Sequence, residues 1–340
     1  MRLLVTGGSG FIGTNLVTDL LKAGHTVSIY DKVRSVTHPD LSVVADIRDR
    51  ERLTNALQGI DAVYHLAAEH RDDVRPVSLY YDVNVKGAKN LVYAAESNDV
   101  KKIIFTSTVA IYGLNASEAH EESPIKPFND YSNSKYQSEE IFNKWVKHDS
   151  RCLVTVRPVT IFGERNRGNV YTLLCQIAST KFVMVGNGKN EKSMGYVLNL
   201  SSFLTKILES GPGRHVYNYA DKPDMTMEEL VTIASKALGN GLGIKWRIPY
   251  TLGLFGGYAF DLLARVTRKT YSISSIRVKK FGADTRVSAD RLRKTGFVAP
   301  YSLVEGLNRM IASEFLHHRD NAKRRSLTEN TEARSFDTNS

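Results

Sequence analysis

The 340-residue chain carries only two cysteines, Cys152 and Cys175, and neither stands in a metal-ligand spacing. That excludes a disulfide framework and a cysteine-based metal site, and a reducing compartment suits both thiols. Long apolar runs are missing as well. The stretch 249–269 is uncharged for its first 12 residues, well short of the ~20 that a membrane-spanning helix needs. Met1-Arg2-Leu3-Leu4-Val5-Thr6 is too short for the core of a signal segment and reads as a first strand. No internal repeat or low-complexity block occurs before the end of the chain. With 42% apolar and 24% charged residues, the composition is that of a folded soluble protein, long enough for one large domain or two smaller ones.

Acidic residues are scarce in one place. From Asp261 to Lys294 there are ten basic residues against three acids, so +7 of the net +10 lies in a tenth of the chain. Such a patch suits phosphate groups, an anionic membrane surface or nucleic acid. No aromatic-rich recognition motif accompanies it, so nucleic acid is not an expected partner.

What the chain does have begins with Gly7-Gly8-Ser9-Gly10-Phe11-Ile12-Gly13, between the strand Leu3 to Thr6 and an amphipathic helix running to Lys22. Gly7, Gly10 and Gly13 let backbone amides and the helix start, at Phe11 and Ile12, approach a pyrophosphate. A second strand ends at Asp31, 18 residues beyond Gly13. A carboxylate there accepts bonds from ribose hydroxyls and repels a 2′-phosphate, which favours NAD over NADP. Asp46 and Ile47 follow the third strand; Asp46 suits either the adenine edge or a helix N-cap. Ala67 after the fourth strand leaves room for a cofactor, and Asn84 lies on the next helix. Thr106-Ser107-Thr108 leave the fifth strand at the end where open α/β sheets bind ligands.

Tyr131-Ser132-Asn133-Ser134-Lys135 places a phenol and an ammonium one helical turn apart. A nearby cation favours the phenolate, bringing a poor base into the working range. With 16 tyrosines and 22 lysines, chance alone supplies roughly one such spacing. Its meaning therefore comes from its company.

Together, the glycine turn, Asp31, the Thr-Ser-Thr exit and Tyr131/Lys135 resemble the extended short-chain dehydrogenase/reductase superfamily, in its sugar epimerase/dehydratase branch, over roughly residues 1–316. The resemblance implies an α/β fold: a doubly wound parallel (Rossmann) sheet with a smaller, mixed C-terminal substrate domain. The NAD-binding domain is expected at 1–165, with 196–220 returning to it, the substrate-binding domain at 166–318, and a polar disordered tail at 319–340. It implies that Thr108 hydrogen-bonds the reacting oxygen, that Tyr131 is the acid/base, and that Lys135 lowers its pKa and holds the nicotinamide ribose. Arg157-Pro158 matches the turn from cofactor to substrate domain, with Pro158 on the cofactor side. No metal is expected.

The departures from the branch narrow the choice. Its dehydratases carry an Asp-Glu pair after the catalytic threonine, where this chain has Val109-Ala110, so elimination of water is not expected. The Arg-x-Phe-x-x-Val-x-Asp stretch of nucleotide-sugar enzymes appears as Lys192 to Asn199 in altered form, which puts recognition of a nucleotide in question. The runs Ala68 to Val74, Ser78 to Val85, Ile161 to Tyr171 and Ser274 to Phe281 resemble 4-epimerases of lipid-diphosphate-linked N-acetylhexosamines. The implied partners are a lipid-linked sugar diphosphate and a cytoplasmic membrane surface touched peripherally, with a homodimer left open. Candidate substrate residues are Glu69, Arg71, Arg165, Arg167, Asn169 and Arg277, the arginines being suited to bidentate phosphate pairing. As a bland alternative, Arg165 and Arg167 form a surface loop paired with Glu164. Residues 249–269 suit either a membrane interface or a buried helix. A UDP-sugar 4-epimerase, a 4-keto-sugar reductase and a non-catalytic NAD-sensing protein are the competing readings; an intact Thr108, Tyr131 and Lys135 argues against the last.

Overall fold

Leu3, Leu4 and Val5 are each fully buried, which requires cover on both faces of the strand they form, β1 (Arg2–Thr6). The computed structural model describes residues 1–316 except 72–73, 115–117, 149, 181, 242–243, 245 and 268–274, and omits the side chains of Val266, Ile276, Arg277 and Lys280. The tail expected at 319–340 thus lies outside the described residues, as do Asp72, Asp73, Arg268 and Lys269.

The strands that follow are β2 (Thr26–Asp31), β3 (Ser42–Val44), β4 (Ala62–His65), β5 (Lys102–Thr106), β6 (Cys152–Pro158), β7 (Thr160–Phe162), β8 (Val183–Val185), β9 (Glu191–Tyr196), β10 (Gly213–Tyr219), β11 (Asp221–Thr226) and β12 (Trp246–Ile248). Seven form one parallel sheet in the order β10-β6-β5-β4-β1-β2-β3. The order reverses between β1 and β4, and such a reversal opens a crevice at the carboxyl ends of the strands. A three-stranded sheet, β11-β9-β7, and a two-stranded one, β12-β8, complete the strands among the described residues.

Alternation along the strands divides the core. Leu3, Val5, Ile29, Ile104 and Val154 meet the helices Phe11–Lys22 and Val197–Lys206 through Leu16, Val17, Leu20, Leu200 and Phe203. Leu4, Tyr30, Val63, Ile103 and Phe105 meet Leu91 and Ala95 of the helix Gly87–Ser97 and Phe142 and Trp145 of the helix Asp130–Trp145. Consecutive residues serve opposite faces because side chains along a strand repeat every two residues.

The chain divides into two compact units, one of Met1–Ile161, Glu191–Asp224 and Ala283–Tyr301, the other of Phe162–Asn190, Met225–Gly282 and Ser302–Ser340. Residues 283–301, expected with the substrate-binding domain, cluster with the first unit because Ala289, Leu292 and Phe297 pack into its core. In the second unit the helix Leu303–Ile311 buries Leu303, Leu307, Met310 and Ile311, and Ser302 and Glu305 cap its start reciprocally. The regular helix ends at Ile311, and a π-helical turn carries the chain from Ala312 to Leu316.

Candidate active site

The glycine turn is tight for a steric reason. Gly7 has φ +74°, and a Cβ on it would lie 2.6 Å from the amide nitrogen of Ala67. On Gly13 a Cβ would stand 2.2 Å from the carbonyl oxygen of Gly7. Side chains at either place would push β1, the exit of β4 and the first helix apart. Gly10 caps that helix without a side chain and no acid occupies its first turn, so its leading amides point to an anion without competition. Phe11 and Ile12 are half-buried in this turn.

Asp31 ends β2, beside the turn. Its carboxylate accepts hydrogen bonds from the amides of Ser9, at 3.0 Å, and Val33, at 3.2 Å. Asp46 accepts from the Arg48 guanidinium at 2.7 and 2.9 Å, and these bonds outweigh partial burial to hold its carboxyl below the usual range. The N-cap reading of Asp46 does not hold. The following helix, Arg50–Ala56, is capped by Asp49, which accepts from the amide of Arg52. Ile47 is buried against Gly87, where an added Cβ would lie 3.0 Å from an Ile47 methyl.

Asn84 sits in the π-helical turn Tyr81–Lys86 and ties two segments together. Its carboxamide accepts from the amide of Glu69 at 2.8 Å and donates to the Glu69 carbonyl at 3.0 Å and the Ser134 hydroxyl at 2.8 Å. The loop after β4 is thereby fixed to the helix Asp130–Trp145. Glu69 itself is buried and takes two bonds from Arg71, at 3.0 and 3.2 Å. Burial pushes its carboxyl up, but the bonds and charge of Arg71 prevail and hold it down.

Local chemistry sets where the helix Asp130–Trp145 begins. The Asn129 side chain accepts from the amide of Ser132, and the Ser132 hydroxyl accepts in turn from the amide of Asn129. This capping box places Tyr131 in the first turn and Lys135 one turn later on the same face. Tyr131 is half-buried, with its ring 6.4 Å from that of Tyr80. Lys135 is 2% exposed, its ammonium 4.3 Å from the centre of the Phe105 ring. Burial lowers its pKa to about 7, against the opposing charge of Glu139. Behind it, burial and the Lys135 charge lower His65 to about 3, so its imidazole is neutral and shares a 2.8 Å hydrogen bond with Thr6.

Thr108 is buried and caps the short turn Val109–Tyr112, accepting from the amide of Ala110 at 3.1 Å. Its hydroxyl proton remains to be donated elsewhere. Ser107 is a residue the motif reading passed over. Its amide bonds the carbonyl of Val156 at 2.7 Å, while its buried hydroxyl has no partner among the described residues. Only its place inside Thr106-Ser107-Thr108 signals it in sequence. An orphaned hydroxyl at the carboxyl end of a central strand fits a site built for a bound polar group.

Glycine turn, Asp31, Ala67, Asn84, Ser107, Thr108, Tyr131, Lys135 and Pro158 thus gather along the carboxyl side of the sheet within one unit. Beneath them, Arg157 and Glu139 form a buried pair at 2.6 and 3.0 Å, extended by the Tyr112 hydroxyl at 2.7 Å. Burial disfavours the guanidinium charge, but the bonds to Glu139 hold its pKa up. A separate cavity of about 560 Å³, lined by Lys206, Arg214, His215, Arg291 and Lys294 among others, contains none of the expected site residues.

Arg165, Arg167, Asn169 and Arg277 belong to the second unit. The pairing with Glu164 is replaced by another: Glu314 accepts from the Arg165 amide and the Arg167 guanidinium, while Glu164 pairs with Arg309. Arg167 also stacks 4.2 Å over the ring of Tyr171. Asn169 is exposed at the start of the helix Asn169–Ala178. Arg277 is on the helix Ser275–Gly282, its side chain outside the described residues.

The sequence pattern of the NAD dependent epimerase/dehydratase family matches residues 3–220. The N-acetyl-alpha-D-glucosaminyl-diphospho-ditrans,octacis-undecaprenol 4-epimerase of Escherichia coli O157:H7 is 48% identical over 319 residues, 93% of this chain and 96% of that enzyme. Two solved structures share the fold at 22% identity, each covering 92% of this chain and 98% of its own. They are the UDP-glucose 4-epimerase of Thermus thermophilus with NAD, at a TM-score of 0.71, and that of Thermotoga maritima with UDP-glucose, at 0.74.

Proposed function

The chain belongs to the NAD dependent epimerase/dehydratase family, and on that footing we propose that it is a 4-epimerase of lipid-linked sugar. It interconverts N-acetylglucosaminyl- and N-acetylgalactosaminyl-diphospho-undecaprenol for surface polysaccharide (O-antigen) synthesis. One observation carries the choice of substrate: the 48% identity spans 93% of this chain and 96% of the O157:H7 enzyme, rather than the glycine turn alone.

The site fits the cofactor. The side-chain-free approach at Gly7 and Gly13 admits a dinucleotide, and Asp31, oriented by two amides, offers its remaining lone pairs to ribose hydroxyls. NAD held by these residues would supply reversible hydride exchange at carbon 4, with no external reductant consumed. Tyr131 takes the proton of the 4-hydroxyl, and Thr108 donates to the same oxygen. Lys135 stabilises the phenolate and holds the nicotinamide ribose. With its pKa near neutrality, Lys135 keeps its proton most firmly when the phenolate is present, so each charge favours the other. The 4-keto sugar turns over and is reduced on its other face. Val109-Ala110 supplies no acid and base for elimination, so the keto sugar is not dehydrated.

Glu69, Arg71, Arg165, Arg167, Asn169 and Arg277 are assigned to the sugar and diphosphate. A sugar carried on a lipid diphosphate is presented at a bilayer surface, which supports a peripheral location; we propose the cytoplasmic face of the inner membrane. Among the described residues no helix is long and apolar enough to cross a membrane.

Purified protein is offered undecaprenyl-diphospho-N-acetylglucosamine or UDP-N-acetylglucosamine, without NADH, and the sugars are identified. Conversion of the lipid-linked sugar is expected. Turnover of the UDP sugar alone refutes the carrier, and a requirement for stoichiometric NADH refutes epimerisation.

A further inference from the structure

The helix Tyr250–Thr267 is amphipathic the wrong way round for a globular protein. Two of its glycines face inward: Gly253 and Gly257 are buried, and a Cβ on Gly253 would lie 2.5 Å from a methyl of Val185 on β8. Its large apolar residues face out, with Leu252 61%, Phe255 72% and Leu262 65% exposed. At 100° per residue these three and Ala259 follow one line along the helix, flanked by exposed Tyr258 and Leu263. A surface helix in water normally does the reverse, and a continuous exposed apolar face marks an interaction surface.

The charges around this face select its partner. The only acid in the helix, Asp261, is half-buried and accepts from the amide of Ser275. Arg265 is exposed near the end of the helix, and Lys279 of the helix Ser275–Gly282 lies 5.3 Å over the Tyr258 ring. Two copies meeting through this face would bring the same cations together. Anionic lipid headgroups would neutralise them, and leucine, phenylalanine and tyrosine suit the boundary between headgroups and acyl chains. We propose that the helix Tyr250–Thr267 lies in the plane of an anionic lipid surface, its Leu252–Phe255–Leu262 side entering the boundary region. The choice of lipid rests on the lipid-linked substrate reading.

Flotation of the full chain with vesicles tests this. Wild-type protein is expected to float with phosphatidylglycerol vesicles and much less with phosphatidylcholine ones. Phe255→Glu with Leu262→Glu is expected to cut flotation at least tenfold while keeping the melting temperature. Arg265→Glu with Lys279→Glu is expected to remove the preference for anionic vesicles. Leu252→Gln, a milder change, should give a partial loss and keeps the test decisive if the double glutamate variant does not fold. Wild type that stays unbound, or variants that float like wild type, overturn the proposal. So does a change from dimer to monomer in the variants with flotation unaltered. No substrate is present in flotation, so its failure is distinct from failure of the product assay.

Discussion

Replacing Lys135 by methionine should stabilise the fold while abolishing turnover, and the gain should depend on pH in a defined way. Lys135 is 2% exposed and its pKa falls from the ordinary 10.5 to about 7 through burial. Between those values the unfolded chain binds a proton that the native chain releases, so this group makes the native state gain stability as pH rises. Its cost is fully present below about pH 7 and fades towards 10.5. A shift of this size corresponds to about 5 kcal/mol at pH 6, falling to about 2 kcal/mol at pH 9. Methionine keeps the volume and removes the charge, although it also loses the contact with the face of Phe105. The charge-dependent part of that contact is already contained in the native pKa, and the packing part is independent of pH and shifts the whole curve without changing its slope. Urea unfolding of wild type and Lys135→Met from pH 6 to 9 should show an advantage for the variant that shrinks by about 2–3 kcal/mol. An advantage constant over that range would refute the argument that burial displaces this pKa.

Two further outcomes follow from buried polar groups in and beneath the site. Glu139→Gln leaves the Arg157 guanidinium buried without its counter-charge and should cost about 3–5 kcal/mol. Joint replacement by Glu139→Leu and Arg157→Met should recover most of that in urea midpoints; no recovery would show that the pair matters beyond its charge. Ser107→Ala removes a buried hydroxyl that has no protein partner among the described residues, so thermal stability should hold or rise while kcat/KM falls. A loss of stability would show that the hydroxyl serves the fold instead.

Much of the site was legible because its signals are local. A strand, three glycines and a helix lie within 22 residues, Asp31 follows at a fixed interval, and Asn129 starts a helix that carries Tyr131 and Lys135 on one face. What sequence hid was pairing between distant segments. Asp46 suited a helix cap that Asp49 provides, and Arg167 faced a choice of carboxylates that Glu314 settles from 147 residues away. Ala283–Tyr301 returned to the first unit through Leu292 and Phe297, whose apolar character alone names no destination.

Sequence by itself determined the periodicities, the caps and the glycine turn, because these depend on neighbours within one or two helical turns. It therefore determined the Rossmann sheet and the Tyr131/Lys135 spacing. Tertiary structure alone decided burial, and burial sets the electrostatics. It lowered the pKa of Lys135 by closing Phe105 and His65 around the ammonium. It also turned the glycine side of Tyr250–Thr267 inward, where the sequence had left a buried helix and an interfacial one equally open. Hydropathy records how apolar a residue is; only packing decides whether water, protein or another surface meets it.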